Sequence, residues 1–197
     1  MSSRKEKKFR VSSYEALLAK KNLLSQGMEL LHETRLVNSQ YFDTLNFHML
    51  SESEEGILPR KKIRVRWYNQ TFDNLLLEEK TSSIEGRFKI SNSLSLPQYK
   101  IFLNTGLISN LYGRVHPSAS IKYAREYFIF KDIRITFDKN IHYQFPDNQI
   151  IYKDSSEVIE IKAPIHCPDD YLDSIFPIPN SRFSKYARSF LMRSQNE

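Results

Sequence analysis

Charged residues two positions apart recur along the chain, and their types suit phosphate chemistry. The pairs are Arg64 and Arg66, Glu78 and Lys80, Arg87 and Lys89, and Glu160 and Lys162. Guanidinium and ammonium groups donate hydrogen bonds to phosphate oxygens, and carboxylates bind the hard divalent cations that accompany phosphates. The spacing therefore indicates a binding site for an anionic ligand, with a phosphorylated compound as the best fit.

The same residues are consistent with the solvated face of an antiparallel sheet, which commonly alternates apolar and polar residues. Side chains alternate across a strand, so Arg64 and Arg66 share one face while Ile63, Val65 and Trp67 share the other. A solvated face usually mixes the two signs of charge, whereas this spacing places like charges about 7 Å apart along one strand. If the sheet closes into a barrel with these faces inward, its walls become a basic tunnel for a polyphosphate or a nucleoside triphosphate.

Short alternating segments predict an α+β fold, an antiparallel sheet with flanking helices, in a single domain of residues 1–197. The chain is predicted to open with a short strand before Ser12, and the further predicted strands are 36–42, 63–67, 75–81, 87–91, 119–130, 134–138 and 158–162. Predicted helices follow Ser12, which has the capping-box spacing to Glu15, and Pro97, and a last helix is capped by Ser181. The polar stretch 51–56 is predicted to be an exposed loop.

Composition excludes several classes of protein. The 197 residues include 29 Lys and Arg against 23 Asp and Glu, which gives a formal net charge of +6. One cysteine, Cys167, cannot form an internal disulfide, and the histidines lack zinc-site spacing. Since no apolar segment approaches membrane-spanning length, we expect a soluble cytoplasmic protein without a membrane segment of its own.

Nine short motifs in order resemble the polyphosphate polymerase domain of the vacuolar transporter chaperone (VTC) complex, within the triphosphate tunnel metalloenzyme (CYTH-like) superfamily. Among them are Tyr41-Phe42-Asp43-Thr44, the segment 63–68, Tyr123-Ala124-Arg125 and the segment 134–140. The resemblance covers almost the whole chain and implies a mainly antiparallel, roughly eight-stranded β-barrel with flanking helices, in which the barrel forms a triphosphate tunnel.

Transferred position by position, the resemblance implies a set of phosphate and metal ligands. The residues with catalytic roles would be Arg64, Arg66, Lys80, Arg125, Arg134 and Lys185. The further phosphate-binding residues would be Lys8, Arg87, Lys89 and Lys162. Glu160 would be the principal ligand for Mn²⁺ or Mg²⁺, with Glu6 and Glu78 as helpers or as partners that orient lysines.

The resemblance implies metal-dependent polyphosphate synthesis from ATP, with ATP or another triphosphate and polyphosphate as ligands and a membrane protein as a further expected partner. Two alternatives stay open: a triphosphatase of the same fold, and a non-catalytic module that binds polyphosphate. Nucleic acid is not expected as a partner, because the aromatic residues do not interleave with the cations. The first strand reads Arg4-x-Glu6-x-Lys8 where the triphosphatases have Glu-x-Glu-x-Lys, and this difference favours the polymerases.

Asp43 and Thr44 are predicted to form a structural turn or a helix cap. Tyr41, Phe42 and Trp67 are predicted to lie in the core, on the apolar faces of their strands.

Overall fold

The computed structural model describes residues 4–196 and contains ten strands and five helices in that range. The strands are β1 (Arg4–Val11), β2 (Glu29–Asp43), β3 (Arg60–Tyr68), β4 (Leu75–Ser83), β5 (Gly86–Leu94), β6 (Leu107–Ser109), β7 (Gly113–Phe130), β8 (Ile133–Gln144), β9 (Tyr152–Lys153) and β10 (Glu157–Pro164). The helices are α1 (Ser13–Ser25), α2 (His48–Glu55), α3 (Leu96–Thr105), α4 (Asp169–Ile175) and α5 (Lys185–Ser194).

Eight of these strands are hydrogen-bonded in the order β1-β10-β8-β7-β2-β3-β4-β5, while β6 pairs with β7 and β9 pairs with β8. The pairs β1 with β10, β10 with β8, β2 with β3, β3 with β4 and β4 with β5 are all antiparallel. The predicted class, mainly antiparallel β with flanking helices, is confirmed. All eight predicted strands are present, and most extend beyond their predicted ends.

The chain divides into two compact units. The first consists of the chain up to Arg35 with Tyr123–Ile141 and Lys153–Ser184, and the second of Leu36–Lys122, His142–Tyr152 and the chain from Lys185. The prediction of one domain over 1–197 stays a prediction.

In the first unit, the apolar face of β1, β10 and β8 packs beneath α1 and α4. Phe9, Ile135 and Ile159 are fully buried there, and Phe9 stacks on Phe176 with ring centroids 5.3 Å apart. Helix α1 begins at the predicted capping box, in which Ser12 and Glu15 bond reciprocally. Burial of this face leaves the other face of the three strands to polar side chains.

In the second unit, the apolar face of β3 and β4 packs against α2 and α3. Ile63 and Val65 are fully buried, and Trp67 packs between Phe72 and Tyr99. Helix α3 begins at a capping box formed by Ser95 with Gln98, close to the predicted start at Pro97. The other face of these strands carries Arg64, Arg66 and Glu78.

Three predicted elements differ from the structure. The stretch 51–56 lies within and at the end of α2, which ends at Gly56 in the left-handed region (φ 82°). The last helix begins at Lys185, so Ser181 does not cap it; the Ser181 N–H donates to the carbonyl of Lys8 instead. Strand β2 begins at residue 29, seven residues before its predicted start. Its first seven residues are exposed on both faces, so they lack the alternation of buried and exposed positions by which the strands were predicted.

None of the helices in the described range has the length and hydropathy to cross a lipid bilayer.

Candidate active site

The polar face of the first unit is built from three neighbouring strands in register. Two rows of residues run across β1, β10 and β8: Lys8, Glu160 and Thr136 form one, and Glu6, Lys162 and Arg134 form the next. Opposed residues of an antiparallel pair lie about 5 Å apart at Cα, so these six side chains share one surface. Strand pairing therefore joins residues more than 150 positions apart in sequence into one ionic patch.

Arg125 of β7 is held on this patch by a buried carboxylate. Its Nε donates to Asp138 Oδ1 at 2.5 Å, and its Nη2 donates to Asp138 Oδ2 at 2.7 Å and to Glu160 Oε2 at 3.5 Å. Asp138 has no exposed surface. Such a two-pronged contact fixes the plane of the guanidinium, and burial makes the contact costly to break.

Glu160 is surrounded by cations. Lys162 Nζ lies 2.8 Å from its Oε1, and the guanidinium of Arg125 lies near its Oε2. Burial alone would raise the pKa of Glu160, but Arg125, Lys162 and Lys8 hold that pKa well below its usual range. Glu160 is therefore ionised at neutral pH, as a metal ligand must be.

Glu6, opposite Lys162 in β1, is the second carboxylate of this patch. Lys8 Nζ lies 2.9 Å from Glu6 Oε1. Burial and the nearby Glu160 act to raise the pKa of Glu6, but Lys8 outweighs them and lowers it. This pairing fits a carboxylate that orients a lysine and leaves Glu6 ionised.

The second unit carries its own ionic cluster, centred on Glu78 of β4. Arg64 donates to Glu78 Oε2 from Nε at 2.7 Å, and its Nη2 lies 2.6 Å from the same oxygen. Lys89 Nζ donates to Glu78 Oε1, and Arg66 Nε lies 3.9 Å from Oε2. The spacing of Arg64 and Arg66 thus brings two guanidiniums to one buried carboxylate.

Glu78 is 2% exposed, and burial by itself would raise its pKa. Arg64, Arg66 and Lys89 reverse that effect and lower the pKa to about 2. Both carboxylate oxygens already accept from cations. This geometry favours the orienting role that the sequence left open for Glu78, and the assignment of Glu78 as a metal ligand stays a prediction.

Tyr41 is buried as predicted, but its predicted position on the apolar face of its strand is wrong. Arg64 Nη1 donates to its hydroxyl at 2.9 Å, so Tyr41 belongs to the ionic face, while Phe42 is on the apolar one. Its ring stacks on Tyr186 with centroids 4.8 Å apart. Burial opposes ionisation of Tyr41, but Arg64, Arg66 and Lys62 lower its pKa to about 7.

Asp138, Tyr41 and Thr136 are members of these patches that the sequence did not assign as site residues. Alternation places Asp138 and Thr136 on the face of Arg134, whereas Tyr41 was assigned to the apolar face with its neighbour Phe42. Which cation each of them meets depends on the register between strands, which alternation does not give.

The remaining predicted ligands lie at the margins of the second cluster. Lys80 and Lys89 face each other across β4 and β5, and Arg87 lies opposite Ser82. All three are exposed to solvent. Lys185 is the first residue of α5 and is half-buried. The structure thus groups Lys8, Arg125, Arg134 and Lys162 in the first unit, and the other cations belong to the second.

The carboxylates near Glu160 decide whether a metal ion fits this patch. Residues 4–196 contain no group of three or more His, Cys, Asp or Glu side chains that could hold a metal ion. Glu6 and Glu160 are two hard oxygen donors on neighbouring strands. Mg²⁺ is commonly bound by one or two carboxylates together with substrate phosphates and waters. The donor set therefore fits a metal shared with a phosphorylated substrate.

The fold and these ionic faces define a class of protein, the triphosphate tunnel (CYTH-like) fold. A candidate adenylate cyclase from Bacillus halodurans is 14% identical, with 93% of this chain and 94% of that chain covered at a TM-score of 0.61. PH1819 from Pyrococcus horikoshii is 11% identical, with 98% and 99% covered at 0.58. HpAC1 from Hippeastrum, a candidate adenylyl cyclase described as having a dominant triphosphatase activity, is 16% identical, with 98% and 96% covered at 0.55.

A comparison of the sequence with protein families gives a narrower assignment than the fold does. The VTC domain profile matches residues 3–114 and 104–192, and the chain belongs to the VTC domain family. The resemblance carried by the sequence motifs is thereby confirmed. No curated protein sequence is significantly similar to the chain.

Proposed function

We propose that the protein is a metal-dependent phosphotransferase that acts on a triphosphate, with polyphosphate synthesis from ATP as its reaction. One observation carries this proposal: each unit presents an arginine whose guanidinium is oriented by a buried carboxylate on an ionic sheet face. Arg125 is held by Asp138, and Arg64 is held by Glu78. Oriented cations of this kind stabilise charge that moves between phosphate oxygens during transfer.

In the proposed reaction, an oxygen of inorganic phosphate or of a polyphosphate end attacks the terminal phosphorus of ATP. A new P–O bond forms as the bond from that phosphorus to the bridging oxygen breaks, and ADP leaves with the bond's electron pair. The attacking oxygen belongs to the acceptor, so no protein nucleophile is needed. Arg64, Arg66, Arg125 and Arg134 align the phosphates and neutralise their charge, with Lys80 and Lys185 in supporting roles.

Further lysines and arginines bind the rest of the phosphate chain in this proposal. They are Lys8, Lys162, Arg87 and Lys89. Their side chains are more exposed than Arg64 and Arg125, which suits residues that hold successive phosphates of a chain. Flexible lysine ammonium groups can follow an anion whose position shifts between turnovers.

Glu160, with Glu6 as helper, would hold Mn²⁺ or Mg²⁺. When bound, such a cation would supply positive charge that offsets the negative charge on the transferred group. Arg125 and Lys162 keep Glu160 ionised and ready to bind. ATP as donor also suits the proposed cytoplasmic location.

A triphosphatase is the second candidate, supported by the structural similarity to HpAC1 and its described triphosphatase activity. In that reaction water replaces the phosphate acceptor, and Glu78 or Glu160 would position it. The Arg4-x-Glu6-x-Lys8 sequence argues for the polymerase, because a cation stands where the triphosphatases of the superfamily have a further carboxylate.

Product analysis separates the candidates. Purified protein is incubated with ATP and Mn²⁺, and each sample is divided between a polyphosphate-staining gel and an assay for free phosphate. A ladder of polymers that grows with ADP supports the proposed synthesis. Free phosphate without polymer would identify the triphosphatase, and neither product would leave the polyphosphate-binding module.

A further inference from the structure

Thr136 has an unusual hydroxyl. Its Oγ1 is the only buried side-chain polar atom in residues 4–196 without a hydrogen-bond partner, and the residue is 5% exposed. Buried hydroxyls in folded proteins nearly always have a partner, because an unpaired one loses its bonds to water without replacement. A hydrogen-bond partner from outside the chain would explain a hydroxyl at this buried position.

The position of Thr136 indicates where that partner comes from. It lies on β8 between Arg134 and Asp138, and its neighbours Ile135 and Phe137 point into the core on the other face. Glu160 lies opposite it on β10. The unpaired hydroxyl is therefore part of the ionic patch that the proposed function assigns to the triphosphate.

The charges around Thr136 favour an anion. Arg134 and Lys162 face each other directly across β8 and β10, one residue pair away from Thr136 and Glu160. Opposed like charges destabilise a sheet unless something negative neutralises them. In the structure Lys162 pairs with Glu160 at 2.8 Å, and its flexible stem allows it to exchange this partner for a phosphate.

We propose that Thr136 is a further ligand residue, whose hydroxyl donates a hydrogen bond to a phosphate oxygen of the bound triphosphate, next to Arg134 and Lys162. This inference rests on the proposed function for the identity of the ligand. It adds a neutral hydroxyl donor to a site that otherwise binds through cations.

Binding of inorganic tripolyphosphate tests the proposal. Calorimetric titrations are done with and without Mn²⁺ on the wild type, on Thr136→Val, which keeps the shape and removes the hydroxyl, and on Thr136→Ser, which keeps it. We expect Thr136→Val to weaken binding about 10- to 100-fold, the effect of one hydrogen bond to a charged group. Thr136→Ser should stay within a few-fold of the wild type. The control, Thr34→Val, changes an exposed threonine of the same unit and should bind like the wild type.

Thermal unfolding of the ligand-free protein gives a second readout. Removing an unpaired buried hydroxyl relieves its desolvation cost, so Thr136→Val should raise the Tm by roughly 3 °C while it weakens binding. If the hydroxyl had a structural role within the protein, Thr136→Val would lower the Tm instead. A lower Tm for Thr136→Val would show that the hydroxyl has a partner within the protein and would overturn the proposal.

The titrations separate failure of this inference from failure of the proposed function. A wild type that does not bind tripolyphosphate under either condition would overturn both. A wild type that binds, with Thr136→Val equally tight, would overturn the assignment of Thr136 alone. Titration with Mn²⁺ in the absence of phosphate completes the test: if Thr136→Val weakens metal binding and leaves metal-free tripolyphosphate binding unchanged, Thr136 ligates the metal and the phosphate assignment is wrong.

Discussion

Arg64 and Arg125 illustrate how single residues can prepare a site for charge transfer. Each arginine contacts a buried carboxylate through Nε and one terminal nitrogen. The carboxylate is Glu78 for Arg64 and Asp138 for Arg125. The orientation of each guanidinium is set before any substrate arrives. Preorganised donors of this kind need no rearrangement during the reaction, and for that reason they stabilise its transition state.

Replacement of Arg64 by alanine should lower turnover by about 10²–10³-fold, because a charge-stabilising donor is lost. The measurement is the rate of ATP consumption with Mn²⁺, and circular dichroism checks the fold. Lys61→Ala is the matched control: Lys61 lies on the same strand but on the opposite face, where it pairs with Glu79 at 3.1 Å. Equal rates for Arg64→Ala and Lys61→Ala would contradict the role given to Arg64.

The lowered pKa of Glu78 predicts a pH dependence of stability. Glu78 titrates at about 2 when folded and near 4.5 when unfolded, so its stabilising effect is complete above pH 4.5 and is lost as the pH falls towards 2. The shift corresponds to roughly 3 kcal/mol. Urea unfolding of the wild type and Glu78→Gln should therefore give a difference in unfolding free energy that shrinks with falling pH. A difference that stays constant from pH 7 to pH 3 would contradict the ion-pair cluster.

At the residue scale, the sequence predicted the cations and only part of their surroundings. The alternation of Arg64 and Arg66 with Ile63 and Val65 defines the ionic face without any knowledge of the fold. The partner of Arg125 could not be predicted in the same way, since Asp138 reaches it only through the pairing of β7 with β8. Side-chain pairs across strands follow the register, and register is a property of the assembled sheet.

Among the elements, α2 shows how a short helix is anchored by the strand that precedes it. Asp43, the last residue of β2, accepts the backbone N–H groups of Met49 at 2.9 Å and of Leu50 at 3.0 Å. Thr44 Oγ1 accepts the N–H of His48 at 3.0 Å. The predicted capping role of Asp43 and Thr44 is confirmed. The Tyr186 hydroxyl of α5 also donates to Asp43, at 2.7 Å, so this carboxylate connects β2 with two helices.

Asp43→Ala should destabilise the protein by about 2–3 kcal/mol, because it leaves the backbone N–H groups of Met49 and Leu50 without their acceptor and removes one partner of the Tyr186 hydroxyl. The unfolding free energy from urea denaturation measures the effect. Asp73→Ala, at an exposed position between β3 and β4, removes the same charge without such contacts in the structure and should change stability by less than about 0.5 kcal/mol. A loss at Asp43 no larger than at Asp73 would contradict the anchoring role.

The same contacts explain why the sequence did not predict α2. Its cap does not come from the residue next to the helix, where sequence patterns place one: Phe47 stands there in a left-handed conformation, without a side-chain cap. The acceptor is Asp43, several residues earlier. Capping boxes at Ser12 and Ser95, in contrast, are local in sequence, and the helices α1 and α3 were predicted correctly.

On the scale of the whole molecule, the first unit assembles its ionic patch from both ends of the chain. Strand β1 pairs with β10, so Lys8 and Glu160 become neighbours. Strand composition predicted an antiparallel sheet, and the family resemblance supplied the order of its motifs. Pairing between distant strands could not be predicted from composition, because alternation is compatible with many strand orders.

The net charge of +6 also has a place in this arrangement. On the two ionic faces the buried carboxylates Asp138, Glu78 and Glu160 each meet arginine or lysine, so the cations are held close together without mutual repulsion dominating. A protein whose cations gather around fixed carboxylates is suited to a compact, highly charged anion. The proposed function uses this charge distribution to bind a phosphate chain.

The most direct test of the account is the turnover of ATP by Glu160→Gln as a function of Mn²⁺ concentration. The control is Glu126→Gln, a change of the same chemistry in the same unit, where Glu126 pairs with Lys20 and Lys139 at 2.8 Å. The account predicts turnover that requires the metal in the wild type and in Glu126→Gln, and a loss of about 10²–10³-fold in Glu160→Gln with the fold intact. Turnover by Glu160→Gln equal to that of the wild type across the Mn²⁺ range would contradict it.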